Sequence, residues 1–273
     1  MEINYFIEDE VIHCQLEGST LVGEEIVLLE QDDNLISGLP FEQEGFGLFP
    51  FLSEDENQHV RNGITQLLID RLNELGIAVN DEFSLSKYHL YVTDEQHLNL
   101  AKSIQFGWHV DEFPIDFDTV NHRISEIVQR SVTGEAKHVG FYNFFIRIVR
   151  PGKVQDNNPP HRDVWLDRLR NAVNIYFPIC GSTEKSALPI MPGSHLLAES
   201  KLERTAEGAF LNNTQYTVPC VLSVLGKPVQ LIRPNPGPDD VMVFSPYLVH
   251  GGGYNLNENE TRVSLEARFF LAK

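Results

Sequence analysis

Basic residues are scarce in this chain: 21 Lys and Arg stand against 39 Asp and Glu, for a net charge of −18 over 273 residues. Phosphate backbones and anionic membranes are held by basic patches, so nucleic-acid and membrane partners are not expected. A polyanionic substrate is also disfavoured, although a local arginine cluster can override the global field. Cysteine is nearly absent. Cys14, Cys180 and Cys220 are odd in number and far apart, which excludes a disulfide framework or a zinc knuckle and suits a reducing cytoplasm. No apolar run approaches the roughly 20 residues that span a bilayer. The opening "MEINYFIEDEVIHC" lacks the basic start of a secretory signal. Repeats, low-complexity tracts and Gly/Ser linkers are missing as well. One domain over 1–273 is therefore expected, with N-terminal strands and support helices over 1–138 and a β core over 139–273.

What is present divides by hydrophobic period. The first forty residues alternate short apolar runs such as "EIVLLE" with acidic turns, as edge strands do. Ser53 and Glu56 have capping-box spacing, and Val60, Ile64, Leu67, Leu68, Leu72 and Leu75 follow at helical intervals up to Gly76. Thr93 and Gln96 repeat that spacing ahead of a second helix reaching about Phe106, and a third fills roughly 118–132. These helices read as a support layer. Beyond residue 139 come "FYNFFIRIVR", "NAVNIYFPI", "CVLSVL", "PVQLIRP", "VMVFSP" and "TRVSLEARFFLA", separated by Gly, Pro and Asn. Such a series after a helical block reads as a sandwich or barrel buttressed by helices. The weakly patterned piece at 195–220 has the character of a lid.

Two H-x-D tripeptides occur. His109-Val110-Asp111 sits among acidic residues just past a helix, and is expected in a surface turn. His161-Arg162-Asp163 lies between two strands, where a His and an Asp two apart point to the same side and can share a metal. A kinase catalytic loop H-R-D-x-x-x-x-N would need Asn at 168, where Arg168 stands, and no Gly-rich phosphate loop supports it.

A third ligand is available downstream. His250 ends an apolar strand and precedes three glycines, which let the backbone turn closely around whatever it binds. Two His and one carboxylate with open positions form the facial triad of non-haem Fe(II) oxygenases. Twelve residues on comes Arg262, whose strand face carries Ser264, Glu266 and Arg268. An arginine fork beside a hydroxyl cradles a carboxylate through charge-assisted bonds. The same pattern also fits a solvent-facing polar edge with a buried apolar back.

The order His161, Asp163, His250, Arg262 resembles the Fe(II)/2-oxoglutarate-dependent dioxygenases of the phytanoyl-CoA dioxygenase-like superfamily. "LPIMPGSH" at 188–195 matches a turn common between the metal-binding segments, and "GLFPFLSEDE" matches the usual entry to the first long helix. The resemblance spans roughly residues 45–272. It implies a mainly β fold, a double-stranded β-helix (jelly-roll, cupin-like) core with helices packed outside. It implies Fe(II) on His161, Asp163 and His250, with 2-oxoglutarate anchored by Arg262 and Ser264, and Arg268 as the alternative anchor. O2 is then the oxidant, succinate and CO2 are released, and a C–H bond of a small-molecule metabolite is hydroxylated. Related halogenases carry a small residue in place of the carboxylate, so an intact Asp163 favours hydroxylation.

Strand alternation offers further candidates. Asn143 and Arg147 on one strand, and Asn174 on the next, would reach the cosubstrate if the mixed faces line the barrel. Trp165, Tyr176 and the turn residue His195 would wall a substrate pocket. Two rival functions keep the same fold: a JmjC-like protein side-chain hydroxylase, and a non-catalytic cupin-like binding protein.

Overall fold

The computed structural model describes residues 1–273 except 105–107, 110–111, 137–142, 213 and 273, and only the backbone of Trp108, His109 and Asn143. The chain opens with β1 (Glu2–Ile7), β2 (Glu10–Glu17) and β3 (Thr20–Val22), then β4 (Phe46–Pro50) and α1 (Glu54–Glu74). Next come α2 (Asp94–Ser103), β5 (Trp108–His109), α3 (Phe117–Val128) and β6 (Val132–Thr133). The central strands are β7 (Asn143–Val149) and β8 (Ala172–Cys180). Short strands follow: β9 (Leu202–Thr205), β10 (Ala209–Leu211), β11 (Thr214–Tyr216), β12 (Val221–Val224), β13 (Lys227–Pro228) and β14 (Gln230–Leu231). The chain closes with β15 (Asp240–Phe244) and β16 (Arg262–Leu271).

Among the described residues the strands form three sheets. The largest runs β4-β15-β8-β16-β7-β5, with β6 paired to the far end of β16. A second runs β11-β10-β2-β1-β14, and a third β13-β12-β9-β3. Alternation on the large sheet decides what faces what. Val173, Ile175 and Phe177 of β8 and Val263, Leu265, Ala267 and Phe269 of β16 belong to one core with the helices. Into that core α1 puts Val60, Ile64, Leu68 and Leu72, each fully buried and stabilising by about 1.5–3 kcal/mol. The opposite face of the large sheet, with Asn174, Arg262, Ser264, Glu266 and Arg268, turns inward. A second core, with Ile7, Leu16, Leu202 and Leu231, fills the other two sheets. The result is a mainly β jelly-roll with its helices on one outer face, as the sequence led us to expect.

The helices start where their caps predict. Ser53 with Glu56, and Thr93 with Gln96, both form closed capping boxes, and Gly76 follows α1 at φ +73°. Other expectations are corrected. "EIVLLE" holds a short 3-10 turn (Leu28–Gln31) rather than a strand. α3 ends at Val128 instead of about 132, because Gln129 takes a left-handed conformation and Val132 joins β16 as β6. Most of 195–220 is no lid: β9 pairs with β12 and β3, and β10 with β2 and β11. Nor is His109 in a surface turn, since its backbone pairs with Asn143 in a two-residue strand. Val110, Asp111 and the side chain of His109 lie outside the described residues. No described helix is long and apolar enough to cross a membrane.

Candidate metal centre and its anion pocket

His161 and His250 meet through their backbones. Each N–H donates to the other's carbonyl, at 2.8 and 3.0 Å, in an isolated antiparallel bridge. Residues paired in this way carry their side chains on the same side of the ladder, and the two imidazole centroids stand 4.5 Å apart. Asp163, two residues on, opens a 3-10 turn and donates its N–H to Pro246 O at 3.1 Å. The space is made by a glycine. A Cβ on Gly251, at φ +99°, would come within 2.7 Å of Pro159 O and 2.9 Å of His161 Nδ1.

The donor atoms are oriented for one small cation. Nδ1 of His161 faces Pro159 O at 2.7 Å and Nδ1 of His250 faces Leu248 O at 2.9 Å. A carbonyl can only accept, so both Nδ1 atoms carry the proton and both Nε2 lone pairs point to the centre. Asp163 Oδ1 lies 3.3 Å from His161 Nε2 and 3.7 Å from His250 Nε2. Its other oxygen accepts from Asn174 Nδ2 and Arg268 Nη2, each at 2.9 Å. Burial alone would raise the Asp163 pKa, but the charge of Arg268 leads the effects that outweigh it and hold the carboxyl well below its usual range. Burial, reinforced by His161, pushes His250 down to about 4. A buried carboxylate and two imidazoles, the His250 ring neutral at physiological pH, thus lie with ligand atoms all within 4.8 Å of one another.

Behind this centre lies a cavity of about 260 Å³ whose wall includes both histidines, Arg147, Arg262, Glu266 and Arg268. Arg262 is buried and its side chain makes one hydrogen bond among the described residues, Nη2 to Asn157 Oδ1 at 3.4 Å, while its guanidinium lies 5.8 Å from the Tyr176 ring centroid. Its Nε and Nη1, and the hydroxyl of Ser264, are buried without a partner among the described residues. Unpaired buried donors are costly, and an arginine edge beside a hydroxyl is completed by a carboxylate. The distal carboxylate of 2-oxoglutarate fits that need. Arg268, the alternative anchor, is already committed to Asp163.

Several expected residues stand elsewhere. Asn174 meets the Asp163 carboxylate instead of a cosubstrate position. Arg147 does line the cavity, but its Nε is taken by Glu266 Oε2 at 3.1 Å. Tyr176 is fully buried beside Arg262, its hydroxyl 2.9 Å from Ser182 Oγ. Trp165 is not on the described cavity wall: it donates to Glu199 Oε2 at 2.9 Å, with Arg204 stacked at 4.6 Å. The 3-10 turn at 163–165 breaks the alternation that would have aligned it with Asp163. His195 is off the wall too, buried with Nε2 2.7 Å from Glu42 O. Asn143 contributes a described backbone only.

Sequence reasoning missed other members. Arg162, between the two ligands, projects away from them into a buried pair with Glu199 and also donates to the carbonyls of Ser194 and Leu197. It ties the metal-binding segment to the P-G-S-H turn. On α2, buried His97 accepts from the Tyr88 hydroxyl at Nδ1 (3.1 Å), with its Nε2 3.3 Å from Asp156. Burial pushes His97 down to about 4, so the ring is neutral and donates to Asp156, which also accepts three bonds from Arg150, one of them from its backbone N–H. That staple holds the loop carrying Asn157 against Arg262. Arg233 is buried near Arg262, its Nη2 on Tyr254 O at 2.7 Å, and burial together with the like charge of Arg262 lowers its pKa to about 10. No short motif marks any of these residues. Only buried-charge accounting on the folded chain finds them.

Among solved structures the chain is similar to AviO1 from Streptomyces viridochromogenes Tue57, at 18% identity over 84% of this chain and 91% of that one, TM-score 0.45. EctD from S. alaskensis, solved with 2-oxoglutarate and 5-hydroxyectoine, matches at 14% identity over 98% and 86%, TM-score 0.46. The non-heme alpha-ketoglutarate-dependent epimerase SnoN from nogalamycin biosynthesis matches at 14% over 85% and 80%, TM-score 0.40. No curated protein matches the chain. The family model for phytanoyl-CoA dioxygenase matches residues 41–264, which include the triad, Arg262 and Ser264. The cofactors of that family are Fe(II), 2-oxoglutarate and O2. The chain belongs to the phytanoyl-CoA dioxygenase (PhyH) family.

Proposed function

We propose that this protein is an Fe(II)- and 2-oxoglutarate-dependent dioxygenase that hydroxylates an unactivated C–H bond of a small-molecule metabolite, converting 2-oxoglutarate to succinate and CO2. One observation carries the reading: a buried two-His, one-carboxylate cluster shares a cavity with an arginine that has unpaired N–H groups beside an unpaired serine hydroxyl. When bound, the iron and 2-oxoglutarate activate O2 and supply the oxidising power. The chain's own residues supply the rest. His161, His250 and Asp163 would hold the metal, with both imidazole tautomers fixed by backbone carbonyls. Asn174 and Arg268 keep one Asp163 oxygen occupied, so the other is presented to the metal. Arg262 and Ser264 would take the distal carboxylate of 2-oxoglutarate.

The cavity of about 260 Å³ is at the small end for ligand sites, and it has to be shared with the cosubstrate. This favours a compact metabolite over a side chain presented on a protein loop. The test is optical. Anaerobic Fe(II) and 2-oxoglutarate should give a visible metal-to-ligand charge-transfer band with the wild-type protein. Folded, metal-loaded protein without that band would remove the cosubstrate assignment.

A further inference from the structure

The walls of the cavity are cationic although the chain as a whole is strongly acidic. Lys102, Arg147, Arg262 and Arg268 line it, against Asp156 and Glu266. Asp156 is already matched by Arg150, with bonds of 2.8 and 2.9 Å. Arg268 is matched by Asp163, and Arg262 is the seat of the cosubstrate's distal carboxylate. Glu266 must then serve alone, with Arg147, Arg268 and Arg262 all acting on it to hold its carboxyl below the usual range against the opposing effect of burial. A metal dication and a cosubstrate dianion cancel each other. The loaded site therefore keeps a positive charge among its described residues, before Lys102 at the rim is counted.

That charge has an address. Arg147 meets Glu266 through Nε only, and its side chain is 37% exposed in a cavity it shares with the metal ligands. The two terminal nitrogens of its guanidinium have no partner among the described residues, which leaves an open pair of donors. Such an edge suits a carboxylate through two parallel charge-assisted bonds. On the same inward side, Leu188 gives the cavity an apolar surface. We propose that the substrate is a small carboxylic acid whose carboxylate docks on the outer edge of Arg147, its hydrocarbon part lying along Leu188 towards the metal.

This rests on the dioxygenase reading above, and the experiment separates the two. The anaerobic Fe(II)/2-oxoglutarate complex is titrated with short straight-chain acids, aromatic acids and α-amino acids, each beside its primary amide. The readout is perturbation of the charge-transfer band. At least one acid should perturb the band at a concentration about tenfold or more below that of its amide, the margin expected for a charge-assisted pair. Arg147→Gln should erase that margin while the band itself still forms, and Arg147→Lys should keep part of it. The proposal is overturned if no acid acts, if amides match their acids in the wild type, or if Arg147→Gln retains the acid preference. A wild-type protein that forms no band with Fe(II) and 2-oxoglutarate overturns the dioxygenase reading, and the substrate proposal falls with it.

Discussion

Asp163 is supported on the side away from the metal position: Asn174 and Arg268 both bond its Oδ2, leaving Oδ1 to the imidazoles. Partners of this kind orient a ligand and hold its charge, and removing one typically costs 10–100-fold in metal affinity. Asn174→Ala should therefore raise the Fe(II) dissociation constant by about 10–100-fold in an anaerobic titration; an unchanged constant would show that Arg268 alone orients the carboxylate. The triad itself was legible in the sequence because each ligand sits in a recognisable local setting, a strand end with a Pro-rich or Gly-rich turn. The role of Asn174 was misplaced for a physical reason. Alternation shows which face a residue occupies, but not which of two acceptors on that face it meets. Trp165 failed differently, since one 3-10 turn cancels the alternation on which its placement depended. Arg162 and Glu199 were invisible because a buried ion pair 37 residues apart leaves no periodic trace.

At the scale of elements, α1 and α3 are joined by a charged clamp that only the fold discloses. Glu56 closes the α1 capping box and also receives both terminal nitrogens of Arg123 on α3, at 2.9 and 3.0 Å. Chiefly because of Arg123, its pKa falls to about 2. A carboxyl with a depressed folded-state pKa stabilises the protein above its unfolded pKa, near 4.5, and loses that contribution as pH falls through about 2. Both partners are partly exposed, so solvent screening limits the effect to about 1–2 kcal/mol. Glu56→Gln should lower unfolding stability by that amount at pH 7, measured in urea, and the gap should close as pH approaches 2. A gap independent of pH would assign the loss to the cap alone. The capping box was readable from Ser53 and Glu56, whereas the partner 67 residues away was not. Likewise β7, β8, β15 and β16 of the large sheet were found by their length and β-branched content, while the two-residue β5 and β6 and the short β9–β11 were missed because two to four residues carry too little pattern to distinguish a strand from a loop.

For the molecule as a whole, an acidic chain encloses a cationic pocket. Composition predicted the first and gave no hint of the second, because four lining cations vanish in a net charge of −18. The two largest hydrophobic clusters lie on either side of the inward face, so the protein is built around the site it presents. The central claim is that His161, Asp163 and His250 form the metal centre that consumes 2-oxoglutarate. The most direct measurement is succinate formed from 2-oxoglutarate and O2 by Fe(II)-supplied wild-type, His161→Ala and His109→Ala proteins. The account predicts succinate from wild type and His109→Ala and none above background from His161→Ala. Succinate from His161→Ala, with its loss in His109→Ala, would contradict it.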